Sequence, residues 1–243
     1  MKGVILAGGT GTRLRPLTLY LNKHLLPVGK YPMIVYGIKS LRKAGIKDIF
    51  MVISKQSSGL YTDFLGSGAA FGVSITYRIQ EQAGGIAEAL DLAKGFILPE
   101  EKFVVLLGDN LFADDLSPYV ASYAKQPQGT ARVLLKEVDD PRRYGVPVFD
   151  TANKNLISHI EEKPDQPKSD YSVTGFYMFD ASVFQLISGL APSARGELEI
   201  TDVNNVYAAA GGLEYDIVPG FWSDAGTFES LQEAAEKMKD LLP

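Results

Sequence analysis

Apolar and polar positions follow two periods along the first half of the chain. Val4–Ala7 is short and apolar throughout, as expected of a strand buried on both faces. Met33 to Ala44 spaces its apolar residues like a helix, Asp48–Ile53 reads as a second buried strand, and Leu60–Leu65 as a short helix. Ser74–Ile79 alternates like a half-exposed strand, Gly85–Lys94 is helical, and Phe103–Leu107, FVVLL, is another fully buried strand. Strands separated by helices predict an α/β fold with a mostly parallel sheet and right-handed crossovers. From Thr130 the texture becomes strand-rich, with strands predicted at Arg132–Glu137, Gly145–Asp150, Leu156–Glu161 and Ser172–Phe179. Polar turns at Asp139-Asp140-Pro141, Asp150–Asn155 and Pro164–Asp170 separate them. This half is expected to cover the first sheet's open end with a second, mixed sheet. Helices follow at Ser182–Leu190, Asp202–Ala210 and Thr227–Leu241, with a short strand at Tyr215–Val218. No repeat, linker or composition shift marks a domain boundary.

The first strand runs into Gly8, Gly9, Thr10, Gly11, Thr12 and Arg13. Glycines let backbone N–H groups approach an anion without a Cβ in the way, and the threonines add hydroxyl donors. Charge sharpens the point. No acidic residue precedes Asp48, so the first 47 residues carry +9 and the remainder −14 of the net −5. Lys39, Arg42 and Lys43 fall on the solvent face of the first helix, whereas Arg13 and Lys23 lie outside any helix. A cationic glycine loop at a strand end in an acidic chain points to a small polyanion, most simply a nucleotide. Neither a Walker loop nor a GxGxxG fingerprint is present, since Gly9 and Gly11 are followed at the third place by Leu14.

Composition narrows the chemistry. With 243 residues, 46% hydrophobic and 22% charged, the chain is an ordinary globular one. The absence of cysteine removes disulfides, thiolate nucleophiles and Cys-ligated metals, and two histidines make a His-based zinc site a poor reading. No apolar run nears the roughly 20 residues that span a bilayer, and the N-terminus lacks a signal-type apolar segment. A cytoplasmic protein is expected, with no membrane and no nucleic-acid partner.

Asp109, delivered by the FVVLL strand, and Asp224, just ahead of the last helix, are the candidate metal ligands. Mg²⁺ takes one or two carboxylates plus substrate oxygens and water. Alternatively Asp109 is a turn residue and Asp224 a helix-start residue, although Thr227 can cap that helix itself. In Ile160-Glu161-Glu162-Lys163-Pro164 only one glutamate can point inward, where it would suit sugar hydroxyls, with Lys163 suiting a phosphate. Tyr144 is either core or site, and Gly145 is either part of the site or needed only for its backbone. Gln80 either reads a pyrimidine edge or caps the turn before Gly85. His24 and His159 read as structural.

Together these residues carry a resemblance. AGGTGTRLRPLT, NKHLLPVGKYPMI, VVLLGDN, RYGV, IEEKP, VTGFYMFD, RGELEITDVN and WSDAGTFESL occur in the order and spacing of sugar-phosphate nucleotidylyltransferases. The chain resembles the glucose-1-phosphate thymidylyltransferases among them from Met1 to about Leu231. The resemblance implies a GT-A/Rossmann-like fold with a smaller second sheet, in one domain over residues 1–243. Residues 1–128 would form its nucleotide-binding half and 129–243 its sugar-phosphate-binding half. The implied reaction joins dTTP and α-D-glucose 1-phosphate into dTDP-glucose and pyrophosphate, opening dTDP-rhamnose synthesis. Gly8, Gly9, Thr10, Gly11 and Thr12 would hold the nucleotide phosphates, Arg13 and Lys23 would counter charge, and Gln80 and Gly85 would read the base. Asp109 and Asp224 would hold Mg²⁺, Lys163 and Arg195 the sugar phosphate, and Tyr144, Gly145, Glu162 and Val173 the hexose. A homo-oligomer, tetramer or dimer, is also implied. UTP, another sugar phosphate, or a silent nucleotide-sugar sensor are the rival readings; the presence of Arg13, Lys23, Asp109, Lys163 and Asp224 disfavours the sensor. Two departures stand out: QEQAGGIAEA replaces the common QPSPDGLAQA, and longer members continue past the last helix, which implies weaker feedback control here.

Overall fold

The computed structural model describes residues 1–151 and 156–239. The elements run β1 (Lys2–Ala7), β2 (Pro27–Val28), β3 (Tyr31–Pro32), α1 (Met33–Lys43), β4 (Asp48–Ser54), α2 (Ser58–Leu65), β5 (Ser74–Gln80), α3 (Ile86–Asp91) and β6 (Lys102–Leu107). They continue with β7 (Leu111–Phe112), α4 (Ser117–Tyr123), β8 (Ala131–Glu137), β9 (Gly145–Phe149), β10 (Ile157–Glu162) and β11 (Tyr171–Asp180). The last are α5 (Val183–Ser188), α6 (Ile200–Ala209), β12 (Leu213–Ile217), β13 (Trp222–Ser223) and α7 (Phe228–Met238). Seven strands form the central sheet in the order β12-β8-β11-β6-β1-β4-β5. Pairs β1–β4, β4–β5 and β8–β12 are parallel, while β8–β11 is antiparallel.

By its contacts the chain divides into two compact units. One comprises Met1–Ala83, Val105–Pro118 and Gly220–Pro243; the other comprises Gly84–Val104 and Tyr119–Pro219. In the first, Val4, Ile5 and Ala7 are fully buried, as an apolar strand between two neighbours must be. Helix α1 buries Met33, Ile34, Val35, Tyr36, Ile38 and Leu41 and places Arg42 and Lys43 in its last turn, where they complement the helix dipole. Helix α7 starts with the expected cap: Thr227 Oγ1 accepts from the Ser230 amide, and the Ser230 hydroxyl accepts from the Thr227 amide. Ala234 and Met238 on α7 pack with Val28, Met33, Tyr36, Leu111 and Ala225.

The second unit departs from expectation in its sheet. The strands expected in a separate mixed sheet mostly extend the central one, and only β9 and β10 form a small antiparallel sheet of their own. The reason lies in β11, ten residues with burial on both faces over most of its length, which only an interior strand can have. Helix α4 was not predicted. Asp115 starts it by accepting from the Ser117 amide and hydroxyl, and only Val120 and Tyr123 carry its apolar face. The predicted turn Asp150–Asn155 and the predicted end of the last helix at Leu241 partly lie outside the described residues.

Phe103 sits at the centre of the second unit's core, fully buried, stacked on Phe184 at 5.7 Å and tilted against Phe179 at 6.4 Å. Phe103→Ala is expected to cost about 3–5 kcal/mol in urea unfolding; a loss under about 1 kcal/mol would contradict this packing.

Candidate functional site

Parallel register determines what the first unit's strands deliver. Ala7 lies beside Ile53, Ile53 beside Ile79, and Ser54 beside Gln80, so β1, β4 and β5 end at one edge. Ligands of such sheets gather beyond that carboxyl edge. A cavity of about 160 Å³ lies there, lined by Gly8, Thr10, Ser54–Gln56 and Gln80–Ala83. Gly8 approaches Gln80 so closely that a Cβ on it would lie 2.7 Å from Gln80 Oε1. Thr18 Oγ1 donates to the Gly11 carbonyl at 2.7 Å and Asn22 Nδ2 to the Gly9 carbonyl at 3.2 Å. The loop's acceptors are thereby held, while the amides of Gly9, Thr10 and Gly11 donate to no backbone carbonyl among the described residues. Gly11 has φ +65°, and a Cβ there would meet Lys23 Cβ at 2.8 Å, so glycine is required twice over.

Below the loop sits a buried polar network. Asn22 Oδ1 accepts from the His24 amide at 3.1 Å and the Tyr61 hydroxyl at 2.9 Å, and lies 2.6 Å from His24 Nδ1. Burial, followed by the Lys23 charge, lowers the His24 pKa to about 3, so its imidazole is neutral. Lys23 Nζ donates to Asp109 Oδ2, and Asn110 Nδ2 donates to Asp109 Oδ1 at 2.9 Å. Burial pushes the Asp109 carboxyl up, but the Lys23 charge and the hydrogen bonds from Lys23 and Asn110 together hold it below its ordinary value.

The second carboxylate arrives by a two-residue ladder. β13 pairs antiparallel with β7, Ser223 opposite Leu111 and Trp222 opposite Phe112. Asp109 precedes β7 and Asp224 follows β13, so both leave the same end of the ladder. Trp222 Nε1 donates to Asn110 Oδ1 at 2.8 Å, tying the two segments together. Asp224 Oδ2 lies 3.9 Å from the Arg13 guanidinium, and Asp224 Oδ1 is buried with no hydrogen-bond partner among the described residues. No group of three or more His, Cys, Asp or Glu is placed to hold a metal among the described residues. Two carboxylates leaving the same end of one ladder are hard oxygen donors and fit Mg²⁺, which needs few protein ligands.

In the second unit, Glu162 is the glutamate that joins the charged cluster, while Glu161 pairs with His159 at 3.6 Å. Glu162 Oε2 accepts from Thr201 Oγ1 at 2.6 Å, and its Oε1 lies 3.0 Å from Lys163 Nζ and 3.6 Å from Arg195. Glu199 holds Arg195 at 2.9 Å. Lys163 has φ +47°, an unusual backbone for a lysine, and its amide donates to the Tyr144 carbonyl. Gly145 pairs with Glu162 across β9 and β10. Val173, half-buried on β11, precedes an irregularity in the ladder with β8. Gly85 opens α3 at φ +104°, where a Cβ would strike the Leu198 carbonyl at 2.4 Å. The Leu198 amide and carbonyl bond Gly84 and Ala87 on either side.

Residues 2–240 match the family described as nucleotidyl transferase. The chain belongs to that family. It is 43% identical to the glucose-1-phosphate thymidylyltransferase of Neisseria meningitidis over 97% of this chain and 81% of that protein. The enzyme of the same name from Mycobacterium tuberculosis is 39% identical over 99% of this chain and 83% of its own. Among solved structures, one from Bacillus anthracis described as a glucose-1-phosphate thymidylyltransferase superposes with a TM-score of 0.94 at 51% identity, covering 100% of this chain and 97% of that one. Among the described residues no helix is long and apolar enough to cross a membrane.

For this nucleotidyl transferase, sequence reasoning missed Ser54, Lys55 and Gln56 in the cavity and the roles of Asn22, His24 and Thr201. Ser54 follows a buried parallel strand beside β1, and that position was the available signal. The neutral, buried His24 generates a pH prediction. The unfolded chain protonates it near 6.5 whereas the folded one does not, so its contribution to stability is complete above pH 6.5 and is lost as pH falls towards 3. Between pH 7.5 and 5.5 urea unfolding should weaken by about 1 kcal/mol more in the wild type than in His24→Gln. Equal slopes would contradict a neutral His24.

Proposed function

We propose that this nucleotidyl transferase joins dTTP and α-D-glucose 1-phosphate, giving dTDP-glucose and pyrophosphate, the step that opens dTDP-rhamnose synthesis. The observation that carries the reading is the convergence of Arg13, Lys23, Asp109 and Asp224 beside the glycine loop, in a chain whose relatives bear that activity's name. A phosphate oxygen of the sugar phosphate attacks the α-phosphorus in line, a new P–O bond forms, and the bond to the β-phosphate oxygen breaks as pyrophosphate leaves. The attacking monoester is already an anion, so neither a covalent intermediate nor a strong base is needed.

Positioning and charge then do the catalysis. The amides and hydroxyls of Gly8–Thr12 hold the polyphosphate. Arg13 and Lys23 offset charge that builds on the leaving pyrophosphate. Gln80 and the Gly85 backbone read the base, with the cavity walls setting its size. Lys163 and Arg195 take the sugar phosphate, and Glu162, held by Thr201, takes hexose hydroxyls with Tyr144, Gly145 and Val173 at its side. Asp109 and Asp224 would hold Mg²⁺, which when bound supplies further neutralisation of phosphate oxygens. In this reading residues 1–128 supply most of the nucleotide-binding half and 129–243 the sugar-phosphate-binding half of one domain, and the enzyme works as a cytoplasmic homo-oligomer.

Pyrophosphate release by purified protein with Mg²⁺ tests this across dTTP, UTP, GTP, CTP and ATP, each with glucose, mannose, galactose and glucosamine 1-phosphates. The dTTP and glucose 1-phosphate pair should dominate, fall at least about 100-fold in Asp109→Asn, and stop on chelation with EDTA. Dominance of UTP or of another sugar phosphate would replace the substrate assignment, and silence throughout with tight dTTP binding would favour a sensor. Lys163→Met should raise KM for glucose 1-phosphate at least about tenfold while leaving KM for dTTP within about twofold. Equal effects on both would contradict its assignment to the sugar phosphate.

A further inference from the structure

Asp109 is bonded at both oxygens. Lys23 holds Oδ2 and Asn110 holds Oδ1. Asn110 is fixed at its other end, because its own Oδ1 accepts from Trp222 Nε1, and both residues are buried. The removable partner is therefore Lys23. Its ammonium ends a four-carbon stem and can rotate off one acceptor onto another, which a packed carboxamide cannot do. That stem runs along the glycine loop: a Cβ on Gly11 would lie 2.8 Å from Lys23 Cβ, and one on Gly9 would lie 3.3 Å from Lys23 Cε and 3.6 Å from Nζ. A polyanion received by the amides of Gly9, Thr10 and Gly11 would thus settle beside the same ammonium that now holds Asp109.

We propose that Lys23 is a latch on the cation site: in the nucleotide-free protein its ammonium occupies the carboxylate of Asp109, and the polyphosphate of the arriving nucleotide draws it away. The cation then binds only together with the nucleotide. This rests on the reading of Asp109 and Asp224 as cation ligands, and adds that one of them is withheld until substrate arrives. The physical basis is competition between two cations for one carboxylate. Lys23 and Asp109 are each only 14% exposed, so their attraction is little weakened by water, and a hydrated divalent ion must displace it without help from phosphate oxygens. Phosphates at the loop change both sides of the balance: they offer the ammonium a new partner and the metal new ligands.

Mn²⁺ titration followed by electron paramagnetic resonance, with and without dTTP, tests the latch without reading activity. Nucleotide-free Lys23→Met and Lys23→Gln are expected to bind Mn²⁺ at least about tenfold more tightly than the wild type, and saturating dTTP should close most of that gap. Circular dichroism and thermal melting confirm that each variant is folded, and Lys23→Gln keeps a polar group against Asp109 should Lys23→Met fail to fold. If the nucleotide-free wild type binds Mn²⁺ as tightly as both variants, the latch is overturned and the cation ligands stand. If no protein binds Mn²⁺ beyond what dTTP binds alone, the cation site itself fails, and the latch with it.

Discussion

One buried ion pair organises the first unit. The Lys23 ammonium and the Asp109 carboxylate are mostly shielded from water, a placement that is costly unless each charge finds a partner and the remaining polar atoms are bonded. The surroundings meet that condition. Asn110 satisfies the second carboxylate oxygen, and Trp222 fixes Asn110. His24 beneath stays neutral, so it adds no competing cation. Asn22, which caps the turn containing Lys23, also holds the Gly9 carbonyl and joins Tyr61 and His24. Removing any one member leaves another buried polar group without its partner, which is why the network specifies a single loop geometry.

The two units use charge differently. In the first, Arg13 and Lys23 are each set against a carboxylate at the carboxyl edge of a parallel sheet, beside backbone donors suited to an anion. In the second, Glu162, Lys163, Arg195 and Glu199 form a more exposed cluster at the end of a short antiparallel ladder. Exposed pairs of this kind contribute little to stability, and in the proposed function their value lies in presenting groups of both signs to a ligand with hydroxyls and a phosphate. An enzyme that transfers a nucleotidyl group between phosphates has no need of a side-chain nucleophile, and a chain without cysteine loses nothing by it.

Much of this was legible in the sequence, and each exception has a physical reason. β1, β4 and β6 are unbroken apolar runs, and the ends of β1 and β6 carry the glycine loop and Asp109 as their pattern predicts. The Thr227 cap was legible because a threonine before a helix has a stereochemical duty, which left Asp224 without that one. β7 and β13 were invisible: two-residue strands have no period, yet their ladder brings Asp224 to the end where Asp109 leaves. The extension of the central sheet by β8, β11 and β12 was missed for a different reason. Strand-rich sequence fixes strands but not their partners, and only the burial of β11 on both faces reveals an interior position. The buried network of His24 was read as merely structural, since an isolated histidine shows nothing of Asn22 and Tyr61 around it.

In the proposed function the chain works by position and charge alone, with one displacement at phosphorus. Its most direct test is the stereochemical course with dTTP carrying a sulfur of defined configuration on the α-phosphorus and glucose 1-phosphate as acceptor. A single in-line attack predicts inversion at phosphorus in the product. Net retention would mean two displacements through a covalent intermediate, and would contradict the account.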